Sequence, residues 1–184
     1  MINITKNINN LIFGDIPTAE LLEEAYLKKI EYFGNLITYS PKVFIPLTTM
    51  CRDKCAYCTF VKSPKERGQY LPIEDVLSIA EAGDANGCYE ALFTLGDKPE
   101  IKWNAAKDEL NKFGFNSTHQ YLIHCMKEVN ESMTIFPHAN PGLMSKDEIN
   151  DLKIHSPSGG IMIESFSKDI YSKGKPHYKT TTKF

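Results

Sequence analysis

Cys51-Arg52-Asp53-Lys54-Cys55-Ala56-Tyr57-Cys58 places three thiols within eight residues, spaced Cys-x3-Cys-x2-Cys. The apolar segment Val43-Phe44-Ile45-Pro46-Leu47 comes just before them and reads as a strand. Three close thiolates can hold three irons of a 4Fe-4S cluster and leave the fourth open to another ligand. A structural zinc site competes for the same residues. It wants four protein ligands, usually as two separated pairs, and the nearest histidine, His119, is distant in sequence. A dithiol redox pair would use Cys55 and Cys58 but leave Cys51 unexplained. Five cysteines is an odd number and the chain shows no secretory context, which disfavours a disulfide framework. Cys88 and Cys125 lie in apolar patterns and read as small buried hydrophobes, as do Met126, Met133, Met144 and Met162 as core.

The rest of the chain sets this loop in an alternating pattern. Residues 1–14 are Asn-rich and read as an N-terminal tail, residues 15–178 as the core, and residues 179–184 as a C-terminal tail. Pro17–Phe33 carries Leu21, Leu22, Ala25, Tyr26 and Ile30 at helical spacing and stops at Gly34. Pro72–Asn86 is a second amphipathic helix, with Ile73, Val76, Leu77 and Ala80 on one face and Gly87 beyond it. Tyr89–Leu95 reads as a buried strand ending in Gly96-Asp97. Ser117 with Gln120, and Ser145 with Glu148, have the spacing of capping boxes that open helices. Met133–His138 and Gly160–Glu164 read as the third and fourth strands.

Strand followed by helix, four times, predicts an α/β fold with a parallel sheet. The polar candidates follow the strands: the cysteines, then Gly96 and Asp97, then His138 and Asn140, then Glu164. In parallel barrels that C-terminal end carries the chemistry. There is no P-loop or dinucleotide-type glycine loop and no His-Glu-x-x-His. The 184 residues carry 42% hydrophobic and 24% charged residues and a formal charge of −2, an ordinary globular composition with no basic surface for nucleic acid. No apolar run approaches membrane length and no signal core opens the chain, so the expectation is a cytoplasmic protein without membrane contact. Among 21 basic residues only Arg52 and Arg67 are arginine, and both flank the cysteine loop. Arginine grips carboxylates in a bidentate way, so a ligand contact and a structural ion pair are both open for them.

The cysteine spacing, with Tyr57 before the last cysteine, resembles the signature of the radical S-adenosylmethionine (SAM) enzymes. Further segments narrow the resemblance: Ser40–Thr48 leading into the cysteines, Glu90-Ala91-Leu92-Phe93-Thr94-Leu95-Gly96-Asp97-Lys98-Pro99-Glu100, Pro137-His138-Ala139-Asn140-Pro141-Gly142-Leu143-Met144-Ser145, and Met162-Ile163-Glu164-Ser165. Together they are similar to subunit 1 of the deazaflavin FO synthases, 7,8-didemethyl-8-hydroxy-5-deazariboflavin synthase, from about Asp15 to Tyr178. The resemblance implies a radical SAM barrel, here a partial (βα) barrel of about four parallel strands with flanking helices, half of a TIM-like barrel. It implies a lyase that closes the deazaflavin ring of a hydroxybenzyl–ribityl–uracil intermediate with loss of ammonia. It implies Cys51, Cys55 and Cys58 as 4Fe-4S ligands, and Tyr57, Gly96, Asp97 and Glu164 as SAM contacts. Substrate contact falls to His138 and Asn140. The partners implied are FO synthase subunit 2 and an electron donor such as ferredoxin or flavodoxin. The family continues beyond Gly174-Lys175-Pro176-His177-Tyr178, whereas Lys179–Phe184 departs from its pattern, so a C-terminally truncated barrel is expected. Another biotin-synthase-like radical SAM enzyme, or an inactive iron–sulfur or zinc-binding fragment, are the alternatives.

Overall fold

The structure is a computed structural model that describes residues 16–181. The tail expected over residues 1–14 lies outside the described residues. The chain divides into two units, Met1–Tyr39 and Ser40–Phe184. In the first, helix α1 spans Thr18–Phe33, with Pro17 preceding it and the Gly34 N–H closing on the Ile30 carbonyl. Proline suits that position because the first helical N–H groups have no partner within the helix.

The second unit is built on four parallel strands in the order β1-β2-β3-β4. They are β1 Lys42–Thr48, β2 Glu90–Leu95, β3 Phe136–Asn140 and β4 Ser158–Gly159. Helix α2, Ile73–Ala85, joins β1 to β2. Helices α3, Asn104–Phe113, and α4, Thr118–Ser132, join β2 to β3. Helix α5, Lys146–Leu152, precedes β4. The α/β architecture expected from the sequence is what forms.

Side chains alternate across the sheet, as strand geometry requires. On one face Ile45, Leu47, Ala91, Phe93, Leu95 and Ala139 are buried against Val76, Ala80, Leu110, Leu122, Met126 and Val129 of the helices. Helix α2 comes so close to β1 that a Cβ on Gly83 would lie 2.4 Å from Val43 Cγ1. The registers Phe44↔Leu92↔His138↔Ser158 and Pro46↔Thr94↔Asn140 align the other face. Pro46 has no N–H to give to a ladder, and the β1–β2 register shifts just there.

Two strands differ from expectation. The third begins later, at Phe136 rather than Met133. Met133 still closes helix α4 onto Val129, and Thr134 is held by Asp84. The fourth is not Gly160–Glu164 but the two residues Ser158–Gly159. Its neighbour β3 ends at Asn140 because Pro141 cannot donate and Gly142 turns at φ +83°. Gly160 makes a last bond to the Ala139 carbonyl and the chain then leaves the ladder. Helix α3 has no counterpart in the sequence reading, since only Ala106 and Leu110 of its ten residues are buried.

Candidate cofactor site at the ends of the strands

The loop after β1 is pinned from several sides. Gly96, at the end of β2, passes so near it that a Cβ there would lie 1.9 Å from the Met50 carbonyl oxygen. Arg52 N–H donates to the Asp97 carbonyl at 2.9 Å, and the Trp103 indole donates to the Cys51 carbonyl at 3.0 Å. The Cys51 sulfur is buried and accepts two backbone N–H bonds, from Asp53 at 3.3 Å and Asp97 at 3.2 Å. Burial pushes the free Cys51 thiol above its ordinary pKa, while the two amide bonds pull the other way. Those amides are already aimed at a charge that a bound metal would stabilise on the sulfur.

Cys51, Cys55, Tyr57, Cys58, Gly96 and Asp97 line one cavity of about 340 Å³, together with Asn140, Met162 and Glu164. It opens where the parallel strands end. None of the five cysteines is in a disulfide. Among the described residues no three His, Cys, Asp or Glu side chains close on one ion-sized point.

Asp97 is 7% exposed. Its Oδ2 pairs with Arg52 Nη2 at 2.9 Å and accepts a long bond from Leu143 N–H at 3.5 Å. Its Oδ1 is buried without a partner. Burial raises its pKa, and the Arg52 guanidinium opposes that shift. A Cβ on Gly142 would press on this carboxylate at 2.8 Å, so the turn after β3 wraps it directly. The arginine that the sequence left open between ligand and ion pair is thus an ion pair with Asp97.

Three sequence-nominated residues sit differently from expectation. Glu164 reaches the cavity, but it is exposed and in a left-handed conformation at φ 70°, not buried at a strand end. Met162, read as core, is 61% exposed at the cavity rim. His138 does not line the cavity. It sits on the same sheet face, nearer the start of the strands, where Nδ1 lies 2.8 Å from Ser158 Oγ and 3.7 Å from Glu90 Oε1. Cys125 is buried and Cys88 packs against the core, as their apolar surroundings suggested.

One residue of this site carries no spacing signal. His177, 1% exposed, stands against the cysteine loop with Nε2 2.9 Å from Tyr57 Oη and Nδ1 3.9 Å from Cys55 Sγ. Ala56 N–H donates to the Pro176 carbonyl, and Thr181 donates through N–H and hydroxyl to Asp53 Oδ1. Only its place in the segment quoted for the family resemblance marks it in the sequence.

A half-barrel of parallel strands with three cysteines after the first strand is the architecture of the radical SAM barrel proteins. Methylornithine synthase superposes with a TM-score of 0.62 at 18% identity, covering 90% of this chain and 45% of that one. The FeFe-hydrogenase maturase HydG of Carboxydothermus hydrogenoformans gives 0.65 at 22% identity, over 83% and 32%. No protein-family model matches the chain. In sequence, the chain is a relative of the FO synthases. It is 46% identical over 153 residues to FO synthase of Mycobacterium leprae, covering 80% of this chain and 18% of that protein. It is 40% identical over 143 residues to 7,8-didemethyl-8-hydroxy-5-deazariboflavin synthase of Methanopyrus kandleri, covering 77% of this chain and 43% of that one. The chain therefore spans less than half the length of either relative.

Proposed function

We propose that this chain carries the cofactor-binding part of a radical SAM lyase of FO biosynthesis, with Cys51, Cys55 and Cys58 as 4Fe-4S ligands. The observation that carries the reading is the convergence of these thiols with Gly96 and Asp97 on one cavity at the ends of parallel strands. The donor set fits the group: three thiols outside any disulfide, one already receiving two amide bonds. A cluster held by three cysteines has an iron free for SAM, and such a pair, when bound and reduced, supplies one-electron cleavage of the sulfonium S–C5′ bond.

The chain's own residues bind and orient. Gly96 lets the end of β2 pass against the Met50–Cys51 backbone and so holds Cys51 at the cavity. The unpartnered Asp97 Oδ1 is an acceptor for an ammonium such as the SAM amino group, and Arg52 holds that carboxylate in place. Tyr57 offers an aromatic face beside the cysteines, and Glu164 can accept from ribose hydroxyls at the cavity rim. Asn140 is the residue for substrate contact. His138, bonded to Ser158, is placed for proton transfer only if substrate reaches further down the sheet face.

The reaction is closure of the deazaflavin ring with loss of ammonia, on the product of FO synthase subunit 2, with an electron from ferredoxin or flavodoxin. The test is anaerobic reconstitution followed by electron paramagnetic resonance of the reduced protein with and without SAM. The expected result is iron and sulfide near four each and a spectrum changed by SAM. One zinc per chain instead would give the site to structural metal. Formation of FO from the partner's product would then establish the substrate.

A further inference from the structure

His177 is contacted at both ring nitrogens, and its tautomer sets the direction of each bond. Thr180 donates its hydroxyl hydrogen to the His177 carbonyl at 2.9 Å. The same hydroxyl oxygen lies 3.3 Å from His177 Nδ1 and has only lone pairs to offer it. With the Thr180 hydrogen given to that carbonyl, the arrangement suits an Nδ1–H tautomer, in which Nε2 is the acceptor. Tyr57 Oη lies 2.9 Å from Nε2, and in that tautomer it is the donor. In that tautomer the Nδ1–H faces both Thr180 Oγ1 at 3.3 Å and the Cys55 sulfur at 3.9 Å. Tyr57 and Tyr171 flank the ring, each at a centroid distance of 5.4 Å, and hold its plane. The His177 N–H bond to the Ile170 carbonyl ties the backbone beneath it.

We propose that His177 is a positioning residue that donates an Nδ1–H hydrogen bond to the Cys55 sulfur and raises the reduction potential of the iron–sulfur cluster held there. The effect on potential rests on the reading of the three cysteines as cluster ligands; the hydrogen bond itself does not. A donor to a ligating sulfur draws charge from it and so favours the reduced state of the cluster. The bond also fixes where Cys55 points, since this loop residue is reached from 122 residues away.

Two measurements on the full chain separate the parts. In the metal-free protein, 15N-histidine spectra should show His177 as the Nδ1–H tautomer, assigned by the signal lost in His177→Asn. Tyr57→Phe should shift that signal toward the other tautomer. In the reconstituted protein, a redox titration followed by electron paramagnetic resonance should show a lower midpoint potential for His177→Phe at unchanged iron content. His177→Asn, which places an amide N–H near the Nδ1 position, should restore most of the wild-type potential. An Nε2–H tautomer in the wild-type protein overturns the hydrogen bond. A wild-type potential in His177→Phe overturns its effect on the cluster. If His177→Phe does not fold, Tyr57→Phe takes its place in the titration and should lower the potential in part. A wild-type chain that takes up no iron sinks the cluster reading and the effect on potential with it, while the tautomer still decides the bond.

Discussion

A methyl group at position 96 would meet the Met50 carbonyl oxygen at 1.9 Å, a backbone atom that no side-chain rotation can move aside. Gly96→Ala should therefore cost at the upper end of the overpacking range, about 1–3 kcal/mol, measured by urea denaturation. It should also displace Cys51, whose Cβ lies within 2.7 Å of the same point. The cysteines themselves divide into two groups. Cys51→Ala, Cys55→Ala and Cys58→Ala should each abolish a stable four-iron cluster on anaerobic reconstitution. Cys88→Ala and Cys125→Ala should leave iron content unchanged, because both side chains belong to the core. Buried Cys125→Ala should still cost stability, on the order of 1 kcal/mol for the cavity it leaves. Iron retained in the first group and lost in the second would reverse the ligand assignment.

At the scale of elements, helix α5 is opened by a complete capping box: Ser145 Oγ accepts from Glu148 N–H, and Glu148 accepts in return from Ser145 N–H. Ser145→Ala should destabilise by about 0.5–2 kcal/mol, read from the thermal or denaturant midpoint. Helix α4 looks alike in sequence, and Ser117 Oγ accepts from Gln120 N–H, yet the Gln120 side chain accepts from Asn116 N–H rather than Ser117 N–H. The β3–β4 pair adds a pH dependence. Desolvation first, and then the Lys42 charge, depress the His138 pKa below its ordinary 6.5. A histidine depressed in the folded state contributes stability that is present above the unfolded value and is lost as pH falls toward the folded one. Stability should thus decline below about pH 6.5, and His138→Gln should flatten that limb; an unchanged slope would remove the assignment. These elements also show what the sequence could reveal. Periodicity exposed α1, α2, α4 and three strands; in α2, α4 and the strands it marks a buried stripe, whereas no residue of α1 is buried. Helix α3 escaped because its buried stripe is two residues wide, and β4 was misplaced because a neighbour's proline, not its own apolar run, decides where pairing stops. The cysteines, Gly96 and Asp97 were legible as a local motif after strands. His177 was not, since nothing near it in sequence tells of a contact 120 residues away.

On the scale of the whole molecule, the described sheet is open at both sides. The outer side of β1 is partly covered, since Thr49 and Leu71 N–H groups bond to Gln69 and Leu47 carbonyls and Thr48 bridges Tyr70. The outer side of β4 has no such cover among the described residues, and a hollow of about 390 Å³ lined by Leu143, Met144, Ile149, Leu152 and Ile161 lies beside it. Parallel strands are normally buried on both faces, and bare edges pair with other chains. The isolated chain should therefore associate with rising concentration in light scattering, and a monodisperse monomer over the whole range would refute this. No helix among the described residues is long and apolar enough to cross a membrane. The strap from residues 176–181 onto the cysteine loop has a consequence for biogenesis. Asp53 is met by Thr181 across 128 residues, and contacts of such separation close late, after the local ones have formed. While the chain is still on the ribosome with residues 170–181 inside the exit tunnel, the thiols stand uncovered to oxidants. On the proposed reading of the cysteines, metal insertion is expected only after residues 176–181 have left the tunnel and closed on the loop.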